Sequence, residues 1–212
     1  MRQPVITIEA GAGWGEAVPA RIGPNAVIQL LPALRAAAGE ADAAALFHRA
    51  GAAEWFAAPP GEMVEAARVA RLHQTLRATL PPDQARTILR EAGRLTAEYL
   101  LAHRIPRPVQ AVLKMLPPPL AARLLVPAIR AHAWTFAGSG QVRASAGAPV
   151  WFEIAGNPLC AGETAPAPVC VWHEAVFTGL FSALVSVSAQ TVETHCAACG
   201  DAYCRFAIDW RR

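Results

Sequence analysis

Four of the five cysteines in this chain lie between Pro168 and Trp210, and any fold has to account for them. The stretch reads PVCVWHEAVFTGLFSALVSVSAQTVETHCAACGDAYCRFAIDW. A helix-period segment opens at Cys170. Glu193, His195, Cys196, Cys199 and Cys204 then gather in and around a short turn between two strand-like runs, Thr191 to His195 and Ala202 to Trp210. Thiolate, carboxylate and imidazole groups at such spacing are the ligands of a borderline-soft ion such as zinc. In the last strand Cys204, Phe206, Ile208 and Trp210 share a face by two-residue alternation, which aims Cys204 at the core. Glu193 and Cys196 are three apart and would point oppositely in an ideal strand, so a shared ion requires the strand to bend or end before Cys196. Cys170, on the first turn of its helix, reaches the same place if that helix packs over the hairpin. A closed, structural site is expected, because catalysis by the ion would need an open coordination position. His195 precedes Cys196 and Cys199, the reverse of the haem-attachment order, which argues against covalent haem. Cys160, isolated in a loop, reads as a small buried hydrophobe.

Ahead of this region the pattern is helical. Val5 to Glu9 alternates like a short strand. The GAGWG after it has Glu16 where a dinucleotide fingerprint needs its third glycine, so it reads as a turn. Pro24 opens a helix carrying Val27, Leu30, Leu31 and Leu34, kinked at Pro32 and stopped by Gly39. Further helical segments run from Ala41 to Ala50, from near Gly61 to the Pro81-Pro82 pair, and from Asp83 to His103, the last with Ile88, Ala92, Leu95, Tyr99 and Leu100 on one face. Pro106, Pro108 and the run Pro117 to Pro119 then cut the chain into short pieces, expected to lie across the core as a lid or rim. After His132 the period changes: Ala133 to Ala137, Val142 to Ser145 and Val150 to Ile154 read as strands, and Val169 to about Val187 as a helix. The expected fold class is α+β, with N-terminal helices packed on a C-terminal antiparallel sheet. Residues 1–130 form the mainly helical part and residues 131–212 the core with the metal-binding hairpin, the two parts making one unit.

The chain has 212 residues, of which 54% are hydrophobic and only 17% charged, so a buried cavity or an oligomer interface is expected. Its net charge of +3 comes from scattered arginines rather than a basic stripe, which sets nucleic acid aside. The longest apolar run, near Ala175 to Val187, falls short of the roughly 20 residues of a membrane span. No secretory signal is evident at the N-terminus. The expectation is a cytosolic chain, at most peripheral to a membrane.

Asn157-Pro158, Pro168-Val169-Cys170, Glu193-Thr194-His195-Cys196 and Gly200-Asp201-Ala202-Tyr203-Cys204-Arg205-Phe206 resemble the 4-vinyl reductase domain, a small-molecule-binding module also similar in fold to vesicle-tethering TRAPP subunits. In its sensor relatives zinc is held by a cysteine on the helix, a glutamate, a cysteine three residues later and another eight beyond. The resemblance therefore implies Cys170, Glu193, Cys196 and Cys204 as ligands, with Cys199 or His195 as substitutes. Arg21 to Ala26, His103 to Gln110 and Ala131 to Gly140 extend the resemblance over nearly the whole chain, to the J-protein family of bacteriochlorophyll biosynthesis in purple phototrophs. That family's name implies reduction of a vinyl group, which needs a reductant-bearing cofactor. The chain has neither a dinucleotide fingerprint nor an iron-sulfur spacing, so an autonomous reductase is disfavoured.

The function implied first is a tetrapyrrole-binding accessory or carrier protein, holding magnesium-protoporphyrin or a close derivative and passing it between pathway enzymes. Its implied partners are the magnesium chelatase large subunit, the magnesium-protoporphyrin methyltransferase and a second copy in a homodimer, with the photosynthetic membrane as the surface to which the chain would be peripheral. A divinyl chlorophyllide reductase using an external reductant, or a regulatory or scaffold module, are the alternatives. Aromatic residues near the sheet, Trp134, Phe136, Trp151 and Phe152, are candidate pigment contacts, and His132 or His103 a candidate axial ligand to magnesium.

Overall fold

Proline and glycine set the element boundaries in the first two thirds of the chain, as a computed structural model of the protein, describing residues 20–211, makes plain. The strand and GAGWG turn expected before residue 20 lie outside the described residues. A two-residue strand β1 (Arg21–Ile22) leads into α1 (Asn25–Ile28) and α2 (Leu30–Arg49). The break between them falls at Gln29, one turn ahead of Pro32, whose ring and missing N–H disfavour a helix continuing from Ile28. Gly39, at φ 85° and ψ 171°, turns α2 sharply, so the two segments expected either side of it are two helices meeting at a bend. A short α3 (Ala53–Ala57) and strand β2 (Val64–Glu65), antiparallel to β1, precede α4 (Ala66–Thr79) and α5 (Pro82–His103). Pro106 and Pro117 stand immediately before α6 (Arg107–Met115) and α7 (Pro118–Ala131), the short pieces that the prolines imply.

The stretch expected as a strand at Ala133 to Ala137 is instead one helical turn, α8 (Trp134–Ala137). Local and tertiary hydrogen bonds override its aromatic and β-branched composition. The Thr135 hydroxyl donates to the His132 carbonyl at 2.8 Å, and the Thr135 carbonyl accepts from Gly23 N at 2.7 Å. β3 (Gln141–Ser145), β4 (Val150–Ala155), helix α9 (Val171–Leu184), β5 (Gln190–His195) and β6 (Cys204–Asp209) complete the chain. The four strands form one antiparallel sheet in the order β3-β4-β6-β5. With its helices on one side of this sheet the class is α+β, as expected.

Helix α9 organises the packing. It is apolar almost all round, the mark of a helix buried between layers. Val171, Trp172, Val176 and Leu180 join the helical cluster built by α1 to α5, while Phe177, Phe181 and Leu184 join the cluster formed by the sheet and α7. Against the sheet, Phe177 stacks on Phe152 with ring centroids 4.7 Å apart and planes 9° from parallel. On the other side α5 and α9 approach closely because each places a glycine at the crossing. A Cβ on Gly93 would collide with the Trp172 carbonyl and lie 2.6 Å from the Ala175 Cβ, and one on Gly179 would lie 2.5 Å from the Ala97 Cβ.

This packing can be tested at the crossing and at a buried imidazole beside it. Gly93→Ala forces the helices apart and should lower unfolding free energy by at least about 2 kcal/mol in urea titrations. Gly61→Ala, where nothing lies within 4 Å of the added methyl, serves as the neutral control. His73 is buried, donates one hydrogen bond from Nε2 to the Ala26 carbonyl at 2.9 Å, and has its pKa lowered to about 3, first by burial and then by the nearby Arg77. The unfolded imidazole takes up its proton near 6.5 and the folded one does not. Its contribution is therefore present above about pH 6.5 and drains away as pH falls towards 3. His73→Gln should flatten the acid side of the stability profile in that window.

Candidate metal centre

Four chain segments converge at one end of the sheet. After β4, Asn157 accepts a hydrogen bond from Leu159 N at 3.1 Å and starts a 3-10 turn, Pro158–Cys160, which swings Cys160 inward. Cys170 is the residue at which α9 begins. β5 carries a bulge between Glu193 and His195, where two steps along β5 match one along β6, and it ends at His195. The strand thus both bends and ends before Cys196, as a shared site demands. Cys204 opens β6 on the inward face with Phe206 and Ile208.

These turns bring the sulfurs of Cys160, Cys170, Cys196 and Cys204 within 4.8 Å of one another, all four buried and none in a disulfide. Cys160 Sγ lies 3.6 Å and Cys170 Sγ 3.7 Å from Cys204 Sγ. A tetrahedral ion with metal–sulfur bonds of about 2.3 Å holds its sulfurs about 3.8 Å apart, so the spacing already fits a closed four-sulfur site. Around the cluster, Asn157 Nδ2 donates to Cys170 Sγ at 3.3 Å and Ala197 N donates to Cys204 Sγ at 3.4 Å, the kind of N–H donation that supports thiolate ligands. Hydrogen bonding to Cys160 first, then to Cys170 and Cys204, pushes the Cys196 thiol far down, while the Cys170 and Cys204 thiols are pushed up. Without a cation the group favours one thiolate sharing the protons of its neighbours. A divalent ion would remove the remaining protons.

Cys170, Cys196 and Cys204 are where the sequence places them. Cys160 is a correction: it is no isolated loop thiol but the fourth sulfur of the group. Glu193 adjoins that group without belonging to it. Its buried Oε2 accepts from Cys170 N at 2.8 Å, capping the start of α9, and its Oε1 has no partner among the described residues. Burial above all pushes its pKa up to about 8. Neither named substitute joins the group. Cys199 is exposed, and the His195 ring lies 5.6 Å from that of Tyr203 with Nδ1 3.1 Å from the Thr194 hydroxyl. Two carboxylates that spacing did not single out hold the hairpin in place: Glu174 Oε1 accepts from Glu193 N at 2.6 Å, and Asp201 Oδ2 from Cys196 N at 2.7 Å. The signal for Cys160 was the Asn157-Pro158 pair, which marks a tight turn just upstream.

The pigment-contact residues do not converge on one point. Phe152 is fully buried in the sheet core, whereas Trp151 is on the opposite face beneath the Arg205 guanidinium, 5.4 Å from the ring centroid. Phe136 packs edge-on to His173 and Phe177, Trp134 is exposed, and His132 is exposed with Nδ1 2.9 Å from the Ala128 carbonyl. His103 closes α5 with its ring 4.8 Å from Tyr99.

The 4-vinyl reductase domain family matches residues 150–209, a span holding all four clustered cysteines and Glu193. The bacteriochlorophyll synthase 23 kDa chain of Cereibacter sphaeroides is 46% identical over 194 residues, covering 92% of this chain and 93% of that one. The chain belongs to the bacteriochlorophyll synthase 23 kDa chain family. The family's protein of the same name from Rhodobacter capsulatus is 38% identical over 188 residues, covering 89% and 86% of the two chains. In fold the chain is similar to H-NOX proteins: a structure probing heme distortion in that family aligns with 90% of this chain and 96% of that one at TM-score 0.54 and 12% identity. An H-NOX protein from S. oneidensis in the Fe(II)NO state aligns at TM-score 0.51, also at 12% identity, over 90% and 100% of the two chains. The shared fold is what these two establish.

For this member of the 23 kDa family, the purified chain should carry one zinc per protein by elemental analysis. Cys160→Ser should lose most of it, as should the same change at Cys170, Cys196 or Cys204. Cys199→Ser and Glu193→Gln should retain it. Full zinc in Cys160→Ser would refute the four-sulfur assignment.

Proposed function

We propose that this chain is a tetrapyrrole-binding accessory protein of bacteriochlorophyll synthesis, which holds magnesium-protoporphyrin or a close derivative and passes it between pathway enzymes. The observation that carries the reading is the extent of the kinship: the match to a chain named for bacteriochlorophyll synthase runs through both the helical part and the sheet. On this reading a structural zinc sits on Cys160, Cys170, Cys196 and Cys204. Protein sulfurs then fill every coordination position, so the ion stabilises the hairpin and the start of α9 and takes no substrate.

The pigment's place on this reading is the seam where the two hydrophobic clusters meet. Leu101, Ile105, Ile129 and Phe136 pack against both clusters there. His132 and Trp134 flank the seam where α7 passes into α8, and His103 ends the same helix that carries Leu101. Two surface clefts, of about 200 and 220 Å³, lie elsewhere and fall below the roughly 300 to 1,000 Å³ of ordinary small-molecule sites. Pigment entry therefore requires α6 to α8 to swing away as a lid, with the imidazole of His132 or His103 as the axial ligand to magnesium. The chelatase large subunit and the methyltransferase are the partners on either side of the transfer, and a homodimer is the assembly that carries it out.

Titrating the purified chain with magnesium-protoporphyrin should shift the Soret band at micromolar pigment. His132→Ala or His103→Ala, whichever removes the axial ligand, should abolish most of the shift while leaving thermal unfolding unchanged. An unshifted band with the wild-type chain would sink the carrier reading.

A further inference from the structure

From Tyr99 to Phe152 the chain runs 54 residues without an aspartate or glutamate, and it places Arg104, Arg107, Lys114, Arg123, Arg130 and Arg143 there. All six are exposed, and none is in an ion pair among the described residues. The rest of the chain is net −3, so the whole positive excess of the protein resides in this segment. The same segment presents most of the exposed large hydrophobic side chains: Val109, Val112 and Met115 on α6, Leu120 and Leu124 on α7, and Trp134 on α8. Met115 is 86% exposed, Leu124 56% and Trp134 54%, values far from those of side chains merely grazing the surface of a core.

The helical spacing makes this arrangement a face. On α7 the buried residues Ala121, Ala122, Leu125 and Val126 turn to the core. Leu120 and Leu124, four apart, stack on the opposite side, with Arg123 and Arg130, seven apart, along one edge of that stripe. On α6 only Leu113 is buried, and Val109, Val112 and Met115 recur every three residues outside it. α6 and α7 pack against each other, joined through Leu116 and Pro117. Two amphipathic helices side by side thus carry aliphatic side chains outward with cations beside them and an indole at one end.

We propose that the α6–α8 face binds an anionic lipid surface, its aliphatic side chains entering the acyl boundary and its cations meeting lipid headgroups. Charge complementarity decides between occupants. A second copy would bring six cations against six, a like-charge contact. An anionic bilayer offers negative charge everywhere and an apolar layer beneath it, and it suits a convex helix pair that forms no groove. Trp134 fits the headgroup level, where amphipathic indoles concentrate. The inference stands independently of the pigment reading, since it uses no residue of the four-sulfur group and no bound ligand.

The test is flotation of the full chain with vesicles of phosphatidylcholine alone and of equal parts phosphatidylcholine and phosphatidylglycerol. The chain should float with the anionic vesicles only, and added salt should release it. Neutralising Arg107, Lys114, Arg123 and Arg130 to Gln should weaken partitioning roughly a hundredfold. Met115→Ser with Leu124→Ser should weaken it too while leaving thermal unfolding unchanged, because both side chains are exposed. Acyl-chain-brominated lipid should quench part of the tryptophan emission in the wild-type chain and lose that part in Trp134→Phe. Failure to float with anionic vesicles, equal flotation with neutral ones, or flotation indifferent to both sets of substitutions would overturn the proposal. So would sedimentation showing that the serine substitutions instead dissolve a dimer. Soret titration in the absence of lipid reads the pigment site separately, so the two readings fail by different measurements.

Discussion

The close crossing of α5 and α9 is the contact on which the rest of the molecule depends. Gly93 and Gly179 let two backbones approach where any side chain would hold them apart. The approach is rewarded because α9 is apolar all round and so has a second face to bury against the sheet. Through that one helix, the helical layer and the sheet become neighbours although neither touches the other over most of its area. Phe177 stacking on Phe152 and Trp172 backing onto Gly93 are two ends of a single stack running through the protein.

The sulfur group controls where that helix starts. Cys170 is at once a member of the group, the residue before the first turn of α9 and the donor to the Glu193 carboxylate. A helix with one end fixed to a β-hairpin cannot slide along α5 without moving Cys170 out of reach of Cys204, 3.7 Å away. Position along the α5 groove and distance within the sulfur group are therefore one constraint expressed twice. Glu193 shows how such a site accommodates an acid: a carboxylate pushed up by burial keeps one oxygen on a helix-terminal N–H, and the work of binding a cation passes to a fourth thiol.

How far the sequence revealed this arrangement varied with the range of the interaction that decides each element. Alternation along Cys204, Phe206 and Ile208 identified the inward face of β6 correctly, because the period of a strand is a local property. Proline boundaries at Pro106 and Pro117 were equally legible, since a missing N–H acts on its own residue. The turn at Trp134 was misread as a strand because what makes it helical is partly a hydrogen bond between Thr135 and Gly23, far apart in the chain. The β1–β2 pair went unseen for a similar reason: each strand is two residues long, and Arg21 finds its partner only at Glu65. Cys160 was missed because a loop separates it from Cys170, and spacing rules count only along the chain, whereas the Asn157 cap acts across the fold.

The placement of charge separates two functions that share one fold. The sulfur group and the α5–α9 crossing lie where ion pairs such as Arg205 with Glu153 and Arg77 with Glu163 tie segments together across the chain. The α6–α8 segment has cations without such partners among the described residues, and its apolar side chains face outward. A segment with few buried anchors costs less to displace than one braced on both sides. That asymmetry places any motion needed to admit a large planar ligand in α6 to α8, with the sheet and α9 as the fixed frame. If the same helices rest on an anionic surface, contact with that surface favours whichever position exposes the apolar face most fully. Lipid and pigment would then act on one mobile element from opposite sides, coupled to the extent that each prefers a different position of it.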